Sequence, residues 1–249
     1  GPSDLFPPGM GMTPASAPPA TRPDRGHSSS RIGFGWGIRD NEHYQEIVVR
    51  PSYHDQNDPE GGYTRGAQIQ FFNLALRHYE NTGGVRVEEF VPIDIYSLSS
   101  SNDYFQAISW KVNAGWSRKR FTQESDPLIP RLNVGMGRTW ELMPPEKGMA
   151  MAYVFLDATL EANNQFEHHY AMGIGPALGV MGNPAANWRS SAYARVQRFG
   201  LGDTHTVAEL TLSQRFAVAA QSVVRVELSR KQQFDLLWTD AQISWQQFF

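Results

Sequence analysis

Three groups of side chains in this 249-residue chain have types and spacings that could do chemistry. The first is His27, followed directly by Ser28, Ser29 and Ser30. A His next to a Ser is the beginning of a nucleophile and its general base. A working triad also needs a third group that fixes the base, and the spacing places no carboxylate or amide there. Hydrolysis through His27 and a nearby Ser is therefore an alternative reading of the chain, and catalysis in this segment is not expected. The second group is the polar loop His54, Asp55, Asp58, Glu60 and Tyr63. Oxygen-rich loops can bind calcium, but this one lacks the regular alternation of Asp or Asn that such a loop uses. Asp55 and Asp58 suit turn capping and Gly61-Gly62 suits positive φ. The loop residues His54, Asp55, Asp58 and Tyr63 are assigned instead to docking a partner domain. The third group is the histidines, seven in all. In the topology deduced below, His43, His78, His168, His169 and His205 fall at one rim. A cluster there could hold a divalent metal or titrate near neutrality, whereas polar tip residues are the simpler reading. No metal or cofactor is expected.

The elements that must position these residues are strands. Ile32, Phe34, Trp36 and Ile38 alternate with glycines, and Trp110, Val112, Ala114 and Trp116 alternate with Lys111, Asn113 and Ser117. Ala150 to Ala162 alternates small or aliphatic residues with Met151, Tyr153, Phe155, Asp157, Thr159 and Glu161. In the last segment, Ala241, Ile243, Trp245 and Phe249 oppose Asp240, Gln242, Ser244 and Gln246. This period of two is that of strands with one greasy and one wet face. We read about twelve such strands of about 10–14 residues, with turns at Asp40-Asn41-Glu42, Glu80 to Gly84, Thr122 to Leu128 and Met143 to Gly148. The least regular is the Gly-rich strand from Tyr170 to Met181, which contains Pro176. No segment of useful length has helical period.

Composition narrows the class. The net charge of -3 gives no electrostatic case for nucleic acid. Zero cysteine excludes disulfides and thiol catalysis. Hydrophobic residues make up 41% and there is no long apolar run, so no helix crosses a membrane. A membrane barrel alternates lipid-facing and lumen-facing residues, so its average hydropathy looks soluble. Membrane strands need about 9–11 residues, whereas soluble sandwiches use about 5–6. Strand length therefore predicts an all-β fold, a closed antiparallel transmembrane barrel of about twelve strands, over residues 27–249. Residues 1–26 are rich in Pro and read as a linker that begins with a Gly-Pro protease scar.

Each face then has a role. The apolar parity should face lipid, with Trp36, Trp110, Trp116, Trp140, Trp245 and Phe249 as lipid-facing or girdle residues, joined by Trp188 and Trp238 near strand ends. The other parity carries both signs of charge: Glu46, Arg86, Glu88, Lys111, Lys119, Asp157, Glu161, Arg195, Glu209, Arg215, Arg225, Glu227 and Asp240. Inside a narrow barrel such residues pair, which predicts a closed or barely permeable lumen. A small-solute channel is the alternative. With both ends of the barrel segment in the periplasm, the longer connections, after the second and fourth strands, also face the periplasm. That inverts the usual pattern of short periplasmic turns and long outer loops.

Several stretches carry a family resemblance as a set. They are Arg22-Pro-Asp-Arg-Gly-His27, Arg50-Pro-Ser-Tyr-His-Asp55 with Asp58-Pro59 and Gly62-Tyr63, Arg65-Gly-Ala-Gln-Ile69, and the closing aromatic strand. They resemble the C-terminal, barrel-like domain of Gram-negative envelope proteins that carry an N-terminal periplasmic domain of the Lnb (lipoprotein N-acyltransferase-like) type. The resemblance implies an outer-membrane location, a role in anchoring and orienting a lipid- or lipoprotein-processing domain at the inner leaflet, and no catalysis in this segment. The nucleophile it implies is a Cys of the N-terminal domain, and this chain has no Cys. The implied partners are outer-membrane lipids, the N-terminal periplasmic domain and the barrel-assembly machinery that reads the last strand.

Overall fold

A computed structural model describes residues 30–51, 67–99, 107–143 and 148–249. His27, His54, Asp55, Asp58 and Tyr63 lie outside the described residues. The twelve strands are β1 (Arg31–Arg39), β2 (Glu42–Arg50), β3 (Ala67–Tyr79), β4 (Val85–Ser97), β5 (Ser109–Arg118) and β6 (Leu128–Glu141), followed by β7 (Ala150–Ala162), β8 (Tyr170–Ala185), β9 (Trp188–Gly202), β10 (His205–Ala219), β11 (Ser222–Gln233) and β12 (Leu236–Phe248). Each pairs antiparallel with its sequence neighbours, and β1 pairs with β12 from Arg31↔Phe248 to Arg39↔Asp240, so the sheet closes. Closure removes the two edges that would otherwise leave backbone N–H and C=O groups unpaired in lipid.

Alternation decides which residues face out. Trp36, Trp110, Trp116, Trp140 and Trp245 are exposed on the outer wall, as are Met136, Leu156, Ile174, Leu210 and Ile243 between them. Phe249 is exposed as well, while its neighbour Phe248 is buried inward. Side chains this apolar on a contiguous outer surface belong in hydrocarbon, not water. Trp238 departs from the expected girdle. It shares parity with Asp240 and Gln242, points inward and is buried.

Irregularities in β3 and β4 reset the alternation. Phe72 in β3 has φ of 56° and is turned outward, the β3–β4 register shifts between Ala75 and Leu76, and the β4–β5 register slips between Phe90 and Ile93, around Pro92. Such register shifts re-aim the side chains beyond them. β8, expected to be the least regular strand, runs unbroken over its whole span but shifts register against β9 twice, between Met172 and Gly173 and between Gly182 and Ala185. Its glycines make room for aromatics leaning in from the neighbours. A Cβ on Gly179 would strike the Tyr153 ring, and one on Gly173 would lie 2.7 Å from Phe199 ring carbons.

The two ends of the barrel differ. The end that carries Arg31 and Phe248 has the long connections 51–66 and 98–108, with 142–149 beside them and tight turns at 186–187 and 220–221. At the other end, turns 40–41, 203–204 and 234–235 are tight, and the longest connection is 119–127.

Candidate functional site

The candidate site is the lumen. Every strand member of the charge set expected from the sequence lies on the inner parity of its strand, Lys119 follows the inner parity of β5 just past its end, and the structure adds Arg39, Tyr44, Arg77, Glu89, Arg131 and Lys231 to the set. The densest cluster spans the closure seam. The Asp240 carboxylate of β12 accepts from Arg39 Nε at 3.0 Å, from Arg77 Nη1 at 2.9 Å and from the Tyr44 hydroxyl. Arg39 also donates to Glu88 at 2.6 Å, and Arg77 and Gln242 donate to the two oxygens of Glu46. Arg77 lies over the Tyr44 ring and Arg86 over Tyr79, while Arg86 also reaches Asp126 at 2.9 Å. Buried charges are tolerated when paired and hydrogen-bonded. Here the pairing ties β12 and β1 to β2, β3 and β4.

A second set crosses the lumen. Lys111 and Asp157 are almost wholly buried and sit 2.6 Å apart, with the ammonium among the rings of Tyr96, Phe155 and Tyr193. Neither Asp157 oxygen has a well-aligned hydrogen bond, so the contact is mainly Coulombic. Gly135 accommodates the pair, because a Cβ there would fall 2.5 Å from Asp157 Oδ1. Arg195 reaches Glu209 at 3.1 Å, Lys231 reaches the same carboxylate at 3.5 Å, and Arg131 lies 3.7 Å from Glu89 on β4. Arg225 pairs with Glu227 and donates to Ser213. Near the terminal end, Arg50 and Arg215 both stand over the Phe248 ring.

The opposite mouth is crossed by connection 119–127, which local sequence reading treats as a plain loop. Lys119, just past β5, donates to Glu161 at 2.6 Å and lies 2.8 Å from His205 Nε2 on β10. Burial pushes its ammonium pKa down, and the Glu161 carboxylate pulls it part of the way back up. The Arg120 backbone N–H donates to Gln233 on β11, and its guanidinium lies over Trp238. Phe121 packs on Phe166 and Phe234. His205 lies at this rim, as its position near a turn suggested, but it is not an exposed tip residue. It is buried, stacked between Phe199 and Phe234 with centroids 4.2 Å away on each side. Among the described residues no three His, Asp or Glu come together as a metal site. Ser30, the one described member of the Ser run, gives its hydroxyl to the Pro51 carbonyl at 2.5 Å. Beneath the cap, a water-accessible cavity of about 500 Å³ runs from Trp238 and Gln233 toward Gln246 and Arg31.

A closed twelve-stranded wall with an apolar exterior and a charged interior defines a transmembrane β-barrel of the outer-membrane type. More particularly, the chain belongs to the family described as domain of unknown function DUF7840, whose model matches residues 20–248. In fold it is similar to the COG4313 outer membrane channel from Pseudomonas putida F1, with a TM-score of 0.51, 8% identity and coverage of 89% of this chain and 96% of that one. It is also similar to the NanC porin, at TM-score 0.48 and 8% identity over 89% of this chain and 100% of that chain. The KdgM porin in complex with disordered oligogalacturonate gives TM-score 0.48 and 6% identity over 88% and 99%. No curated protein matches the chain.

Proposed function

We propose that the barrel is a non-catalytic outer-membrane anchor with a capped, internally braced lumen, and that it holds a periplasmic, lipid- or lipoprotein-processing domain at the inner leaflet. The observation that carries the reading is the bracing of the interior. Ion pairs span the seam at Asp240, and connection 119–127 bonds across the mouth to β10, β11 and β12. If spread along a hydrocarbon band about 25 Å tall, the 500 Å³ of space open to water amounts to roughly 20 Å² in cross-section, a passage about 5 Å across that suits water and small ions. A transporter of sizeable solutes needs more. The long connections 51–66 and 98–108 share an end with Arg31, which suits a working face turned toward the periplasm. Fractionation of cells making the full-length parent, with and without residues 30–249, tests the anchor. Loss of the barrel should release the upstream segment from the outer-membrane fraction, and retention of that segment would refute the anchoring role.

A second reading, a narrow small-solute channel, draws on the cavity that touches residues near both ends. The likeness in fold to the COG4313 outer membrane channel accords with it. It requires the 119–127 cap to move aside.

A further inference from the structure

The capped cavity has a charge balance of its own. Its lining includes eleven Lys and Arg and seven Asp and Glu, in a chain whose net charge is -3. Asp157 and Asp240 stand behind the lining and hold Lys111, Arg39 and Arg77, and a cationic surplus remains when they are included. Mid-barrel, Arg131, Arg195 and Lys231 from β6, β9 and β11 have Glu89 and Glu209 as their ion-pair partners among the described residues, while Asp157 acts on Arg195, and Glu227 and Asp240 on Lys231, from farther away, and Asp94 is held by Asn113. Glu89 and Glu209 also act electrostatically on each other from opposite walls, which makes each a poor neighbour for a second anion and a poor full complement for three cations. Arg195 spends one arm on Glu209, and its buried Nε has no acceptor. A buried donor left without an acceptor is costly, so an acceptor oxygen at that position is favourable. The neutral amide Asn113, already bonded to Arg131 at 3.1 Å, lies beside the same space. A volume of about 500 Å³ is within the usual range of small-molecule sites.

We infer that this cavity binds a small organic or inorganic oxyanion, of the carboxylate or phosphate class, through Arg195, Arg131 and Lys231. Guanidinium groups match such anions with paired donors. The inference is independent of whether the barrel anchors a second domain, because it concerns binding by the barrel alone.

The test is thermal unfolding of the detergent-purified barrel in chloride, inorganic phosphate and citrate at matched ionic strength. Phosphate also stabilises proteins non-specifically by exclusion from their surface, so the signature is saturation together with its response to variants. Phosphate or citrate should raise the midpoint saturably, and Arg195→Gln should weaken the apparent affinity about tenfold or more. Glu89→Gln removes a competing carboxylate from a half-exposed position and should tighten binding. If Arg195→Gln does not fold, Glu89→Gln decides alone. Equal midpoints in all three salts, a shift that Arg195→Gln leaves intact, or binding that Glu89→Gln leaves unchanged or weaker would each overturn the inference.

Discussion

The Lys111–Asp157 pair gives the sharpest quantitative expectation. Both side chains are nearly inaccessible, and the ammonium sits among three rings with the carboxylate 2.6 Å away. Removing one partner strands the other charge in that setting, which costs about 3–5 kcal/mol, or at least about a hundredfold in the unfolding equilibrium. Lys111→Met and Asp157→Leu should therefore each destabilise strongly. The double variant should lie within about 1 kcal/mol of the parent, or be more stable, because a poorly aligned buried pair barely offsets its own desolvation. Gly135→Ala should behave like the single variants, since its methyl would lie against Asp157 Oδ1 and Lys111 Cε. The assay is reversible urea unfolding in detergent or vesicles, read by tryptophan fluorescence and completed as a double-mutant cycle. Single variants costing under about 1 kcal/mol, or a double variant costing the sum of the two, would refute the claim that a buried ion pair braces this wall.

Three other expectations follow from the same geometry. Gly179→Ala should cost about 1–3 kcal/mol by driving a methyl into the Tyr153 ring, and the loss should shrink in a Tyr153→Ala background, measured by the same unfolding. Asp240→Ala takes away the carboxylate that Arg39, Arg77 and the Tyr44 hydroxyl share at the seam, so the temperature at which the folded, fast-migrating gel band is lost should fall below that of the parent. Among single-tryptophan variants, the one that keeps the outward Trp36 should be quenched by lipids with brominated acyl chains, whereas the one that keeps the buried Trp238 should not.

How much of this was legible in the sequence depends on the range of each signal. The strand count and the division into faces follow from a two-residue period kept over long strands, which is local and strong in β5, β7 and β12. The inward charges could be assigned for the same reason. Arg39 was missed because a charge at the last residue of a strand looks like a turn residue. Glu89 was missed because the β3–β4 register shifts at Glu88, between Ala75↔Glu89 and Leu76↔Val87, and so brings Glu89 beside Glu88 on the lumen side, where simple alternation would separate them. Trp238 and His205 were legible in principle. Trp238 shares parity with Asp240 and Gln242, and His205 with Val207 and Glu209, yet their closeness to turns suggested rim positions. The cap had no local signature, since nothing in 119–127 announces that Arg120 will meet Gln233 and Trp238 from across the barrel. β8 looked irregular because its glycines answer to aromatics on neighbouring strands.

The capped lumen is tested most directly by planar-bilayer conductance of the purified barrel in concentrated KCl. A mouth closed by Lys119, Arg120 and Phe121 predicts a silent membrane, with openings appearing only when residues 120–126 are replaced by a short turn. Steady, large openings from the unaltered barrel would contradict it.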